Sequence, residues 1–149
     1  MAQEWCYKAQ ANHFLTFYNS DYEKAGAECM RAPESMRGAC FMRLGQMQVA
    51  DVPNPALAAE KYCATIPSAY LDECIIGGLR HMVLNFGIDP EGGPARFCRG
   101  LSGAQSKEIC YTEYEKKMKD MFNDSAERLR ICALFEDPFD AMCAARQYM

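Results

Sequence analysis

Nine cysteines are the residues of this chain best suited to chemistry, and their spacing decides which chemistry is open to them. They are Cys6, Cys29, Cys40, Cys63, Cys74, Cys98, Cys110, Cys132 and Cys143, at successive intervals of 23, 11, 23, 11, 24, 12, 22 and 11 residues. Thiolates can hold a metal, turn over as a redox pair, or staple a fold. Zinc sites are usually built from Cys-x2–4-Cys pairs, and the chain has none. It also has no Cys-x-x-Cys redox pair and no Cys-x-x-Cys-His haem signature. Stapling is the use that fits, and disulfides persist in oxidising compartments outside the cytosol.

The other reactive side chains form no catalytic constellation. No Ser nucleophile elbow or phosphate-binding Gly-rich loop occurs. The Gly-rich run from Gly87 to Pro94 lacks a P-loop lysine and reads as a long hairpin insertion. Non-enzymatic function is therefore expected, with no cofactor. His13 and His81 each follow a leading cysteine by seven residues, and Met47 and Lys117 occupy the same place in the other units. The four fall on one face of successive helices and read as a groove-lining stripe, with Phe17 and Tyr18 beside it. Neighbouring helix axes lie about 8–10 Å apart, so His13 and His81, two repeats apart, are too distant to share a metal. Ten methionines keep a soft-metal reading open. Methionine more often fills irregular cores or adaptable binding surfaces. Asn123-Asp124-Ser125 matches a glycosylation sequon.

These residues need elements to position them, and the cysteine rhythm supplies the plan. Two interleaved series share a period of about 34, the length of a helix–turn–helix repeat. The leading series is Cys6, Cys40, Cys74, Cys110 and Cys143, and the trailing series is Cys29, Cys63, Cys98 and Cys132. Each of the four full units breaks twice. The first break follows Tyr18, Val52, Phe86 and Phe122 and is rich in Asn, Asp, Gly and Pro. The second falls at Pro33, Pro67, Ser102-Gly103 and Asp137-Pro138, and proline cannot continue a helix. The predicted helices span 2–18, 21–31, 35–50, 55–65, 69–86, 93–101, 104–122, 124–134 and 138–149. Long A helices carry leading cysteines and shorter B helices carry trailing ones. Ser35, Ser68 and Asp137 are the expected N-caps, with Pro138 at a first helical position. The charge-rich run 113–120, with Glu113/Lys117 and Glu115/Lys119 at i,i+4, reads as a solvated helix face. The expected fold is an all-α, αα-hairpin solenoid, a single domain over 1–149. Its units are about 1–34, 35–67, 68–103 and 104–137, with a terminal helix at 138–149.

Two regular disulfide schemes fit this plan. One joins cysteines 11 or 12 apart, as Cys29–Cys40, Cys63–Cys74, Cys98–Cys110 and Cys132–Cys143, and leaves Cys6 as a free thiol. The other joins cysteines 22 to 24 apart and leaves Cys143 alone. Antiparallel helices bring together residues equidistant from their turn. Pro33 and Pro67 sit near the midpoint of the short pairs, whereas the long pairs are offset by about 6 Å at ~1.5 Å per residue. A disulfide spans Cα atoms only about 4.4–6.8 Å apart. The short scheme is the better fit, and the long one stays open.

The net charge of −4 disfavours nucleic acid as a partner, because phosphate binding draws on basic surface. No run of 18 apolar residues is present to span a membrane. The N-terminus lacks the pattern of a signal peptide, so an exported chain is expected to have had its signal removed. Half the residues are apolar, the mark of a folded and not a disordered chain.

Ala59, Tyr62 and Cys63, followed by Cys74-Ile75-Ile76-Gly77-Gly78-Leu79, resemble Sel-like tetratricopeptide repeats in their disulfide-linked, secreted cysteine-rich form. Cys40-Phe41-Met42-Arg43-Leu44-Gly45 echoes the same motif. Ala9-Gln10 and Glu113-Tyr114 stand where the Leu-Gly is missing after Cys6 and Cys110. The resemblance implies a right-handed solenoid, extracytoplasmic (periplasmic or secreted) location, and binding of a protein or peptide. A concave surface of A helices is where solenoids usually bind. The alternative is a metal-handling protein taking copper or zinc through Met, His and free Cys6.

Overall fold

The computed structural model describes residues 2–88 and 93–147, with side chains from Trp5 onward. The middle of the expected 87–94 insertion and the end of the expected 138–149 helix lie outside the described residues. All regular structure among those described is helical. The helices are α1 (Ala2–Phe17), α2 (Tyr22–Arg31), α3 (Glu34–Gln48), α4 (Pro55–Cys63), α5 (Leu71–Phe86), α6 (Gly93–Gly100), α7 (Ala104–Met121), α8 (Ser125–Cys132) and α9 (Phe139–Gln147), with a 3₁₀ turn at Ser68–Tyr70. Two compact units divide the chain between His81 and Met82.

Local chemistry explains where the helices stop and restart. After α1, Asn19 and Ser20 adopt left-handed φ values of 52° and 63°, and Asp51 does so after α3 at 55°. Asn and Asp tolerate that region better than most residues. Asp21 then caps α2 by accepting from Lys24 N at 3.0 Å, and Asn54 caps α4 by accepting from Leu57 N at 3.2 Å. Asp124 caps α8, accepting from Ala126 N at 2.9 Å. Side-chain caps satisfy amides that a helix start leaves unpaired.

The expected caps after the proline breaks are not the observed ones. Pro33 holds the N-cap position of α3, and Ser35 is already inside the helix. Pro67 precedes the 3₁₀ turn in the same way, its carbonyl accepting from Tyr70 N, so Ser68 opens a turn and caps no α-helix. At the last break the Asp137–Pro138 peptide is cis, and α9 begins at Phe139. There the Glu136 carbonyl receives the amides of Phe139 and Asp140, and the Pro138 carbonyl receives that of Met142. A proline's fixed φ directs the chain into each helix without help from a side-chain hydroxyl or carboxylate.

In the first unit α3 is central, with α1, α2 and α4 against it. Its core gathers Ala11, Leu15, Phe41, Leu44, Tyr62, Ile75 and Leu79. α3 and α5 approach at backbone contact. A Cβ on Gly45 would collide with the Cys74 carbonyl, and one on Gly77 with the Met42 carbonyl. In the second unit α6 packs on α7, α8 on α9, and α9 on α7. Tyr111, Tyr114, Met118, Ile131 and Phe135 fill that core, with the Tyr111 ring 4.5 Å from Phe139 and 4.6 Å from Phe135 between centroids.

Four disulfides cross the B-to-A breaks: Cys29–Cys40, Cys63–Cys74, Cys98–Cys110 and Cys132–Cys143. Their Cα atoms are 5.6, 5.8, 5.5 and 5.5 Å apart, and all eight cysteines are buried. Each closed loop stabilises by about 2–3 kcal/mol on the chain-entropy argument.

In the second unit Glu115 of α7 and Arg146 of α9 join as a two-pronged ion pair. Glu113 and Glu115 are only 7% and 5% exposed. This corrects the solvated reading of 113–120. Glu113 pairs with Lys116 and Lys117, while Glu115 turns to α9 and not to Lys119.

Candidate functional site

The stripe positions of the first unit sit on α1, α3 and α5. Seven residues past each leading cysteine is two helical turns, so His13, Met47 and His81 keep one register on the three helices. His13 is exposed, and Met47 and His81 are partly exposed. A polar thread runs beside them. Arg43 of α3 donates from Nε to Asn12 Oδ1 of α1 at 2.9 Å and from Nη1 to Gln46 Oε1 at 2.8 Å. His81 lies within reach of the charges of both Arg43 and Asp51. Burial chiefly, and Arg43 after it, push the imidazole below its ordinary value, with Asp51 pulling the other way. The thread therefore carries one fixed cation and a histidine that favours its neutral form.

Phe17 and Tyr18 close the α1 end of this face. Phe17 is 68% exposed and meets Tyr18 edge-on at 4.9 Å, with the His13 ring 6.5 Å away. Tyr18 is held from behind, donating its hydroxyl to Glu28 Oε1 at 2.9 Å. That bond raises the phenol and lowers the carboxyl, which Arg31 also lowers. The α1 row extends further than the sequence reading took it. Trp5, Ala9, His13 and Phe17, spaced by four, are all exposed, and Trp5 is 70% exposed with Lys8 Nζ 5.5 Å over its ring. The opposite face buries Ala11 and Leu15. Spacing by four from His13 was the signal for Trp5. Arg43, four before Met47, was legible on the same rule.

No family model, curated protein or solved structure matches this chain.

Lys117 belongs to the second unit, on α7, where Glu113 and Asp120 hold it at 3.9 and 3.4 Å. Cys6 is an exposed free thiol with Gln10 Nε2 3.9 Å from its sulfur. Among the described residues no three His, Cys, Asp or Glu side chains converge as a metal site would require. No described helix is long and apolar enough to cross a membrane.

Proposed function

We propose that this chain is an extracytoplasmic, non-catalytic αα-repeat scaffold, of the disulfide-linked Sel-like and tetratricopeptide type, that binds a protein or peptide. The observation that carries this reading is the exposed row Trp5, Ala9, His13 and Phe17 on a helix whose other face is buried. Exposed aromatics on a rigid helix are suited to anchoring a partner, because they bury much area at little entropic cost. The thread of Asn12, Arg43 and His81 beside the row offers hydrogen bonds for orienting a backbone or an acidic group. The four buried disulfides support a location outside the cytosol. They also keep short helices in register while the face stays open to solvent.

The test is a random-peptide selection on the oxidised protein, followed by titration of the selected peptides. Peptides specific to this face lose about tenfold in affinity in Phe17→Ala and again in His81→Ala, the loss typical of an anchor residue. Selected peptides that bind both variants as tightly as the parent contradict the assignment of the face.

A further inference from the structure

Between α2 and α4 the first unit holds a cavity of about 330 Å³, walled by Tyr22, Gly26, Met30, Phe41, Tyr62 and Ile66. It lies on other elements than the row of α1. Its size is near the lower end of small-ligand sites, about 300–1,000 Å³, and since about 150 Å³ holds a benzene ring there is room for one ring with an attached amide. Tyr22 and Tyr62 meet edge-on at 5.3 Å between centroids. Tyr62 is 5% exposed, and its hydroxyl has no hydrogen-bond partner among the described residues. Gly26 leaves the wall bare at this point, since a Cβ there would stand 3.5 Å from Tyr62 Oη and 3.7 Å from the Phe41 ring. Any longer side chain at 26 would occupy the space.

A buried hydroxyl without a partner is costly, and nearly all such groups in folded proteins find one. Burial, with the neighbouring Tyr22, pushes the Tyr62 phenol well above its ordinary range, so it stays protonated and remains a donor. Tyr22, Met30, Phe41, Tyr62 and Ile66 supply the apolar wall, which penalises a charged occupant, while Thr65 and the Glu23 carboxylate also line the space and disfavour an anion in particular. We propose that this cavity is a socket for one uncharged aromatic or branched aliphatic group with an adjacent amide carbonyl, the carbonyl accepting from Tyr62 Oη. Tyr22, the more exposed of the two rings, turns aside to admit it, because Oη is closed to solvent while the socket is empty. A peptide side chain with its own backbone carbonyl and a free aromatic amide share this chemistry.

The oxidised protein is titrated with N-acetyl-phenylalaninamide, with benzamide, with the peptide Gly-Gly-Phe-Gly-Gly and with toluene, and followed by NMR. Saturable shifts are expected at Gly26, Tyr62 and Thr65, in the weak range normal for fragments. Gly26→Leu abolishes them while helicity and the four disulfides are retained. Tyr62→Phe, which removes only the donor, weakens the amides about five- to tenfold and leaves toluene unchanged. Tighter binding of the pentapeptide than of benzamide assigns the socket to peptides, and the reverse order assigns it to free aromatic amides. Absence of saturable shifts, or amide binding that Tyr62→Phe leaves intact, overturns the proposal. Peptides that bind the α1 face keep their affinity in Gly26→Leu, so failure of the socket is distinguishable from failure of that face.

Discussion

Gly45 and Gly77 show how much a single missing Cβ can decide. Each lies against a carbonyl of the facing helix, so Gly45→Ala or Gly77→Ala must push α3 and α5 apart. Each is expected to destabilise by about 3 kcal/mol in urea unfolding, the upper range for overpacking. A change under about 0.5 kcal/mol would contradict the close approach. Gly45 was legible in Leu44-Gly45 and Gly77 in Ile76-Gly77-Gly78, but the carbonyls they face were not, because those come from another helix. His81 makes a second prediction at this scale. Its imidazole is held below the ordinary value by burial, so the unfolded chain takes up the proton more readily. The folded state is at full strength above a pH of about 6.5 and weakens as pH falls through the lowered value. The difference in stability between the parent and His81→Gln should be flat above that pH and turn against the parent below it. An NMR midpoint for His81 above about 6.5 would contradict the burial.

Helix extents followed from composition, because Pro, Gly, Asn and Asp end helices through their own backbone preferences. The starts at 2, 55, 93 and 104 and the ends at 31 and 86 are met, and the other ends within the described residues fall within two residues of those expected. Caps were less legible. Ser35 and Ser68 have the right chemistry, yet Pro33 and Pro67 launch those segments first. The caps that operate are Asp21, Asn54 and Asp124, in turns recognisable from sequence only as breaks. Asn54→Ala should therefore cost about 1 kcal/mol, against almost nothing for Ser35→Ala. The run 113–120 was misread for a tertiary reason. Local spacing pairs Glu115 with Lys119, but Arg146, 31 residues on, takes the carboxylate. Glu115→Ala leaves Arg146 without its anion and should destabilise by about 2–3 kcal/mol, below the range for a deeply buried pair because Arg146 is partly exposed. An equal loss in Lys119→Ala would restore the local pairing.

At the scale of the molecule, the cysteine intervals carry the architecture. Pairs 11 or 12 apart fit across a tight proline break, and the structure bonds those eight cysteines. The surfaces proposed for binding were harder to read. The stripe at position seven finds His13, Met47 and His81, whereas the socket of Tyr22, Gly26 and Tyr62 depends on the gap between two B helices, which no local pattern encodes. Stapling also predicts a response to reduction. Losing four links worth about 2–3 kcal/mol each removes an amount comparable to the whole stability of a typical domain, about 5–15 kcal/mol, so the reduced chain should unfold near physiological temperature. The most direct test of the stapled architecture is peptide mapping of the non-reduced protein after alkylation of its free thiols. The account predicts one alkylated cysteine, Cys6, and links at Cys29–Cys40, Cys63–Cys74, Cys98–Cys110 and Cys132–Cys143. Nine alkylated cysteines, or links such as Cys6–Cys29 and Cys40–Cys63, would contradict it.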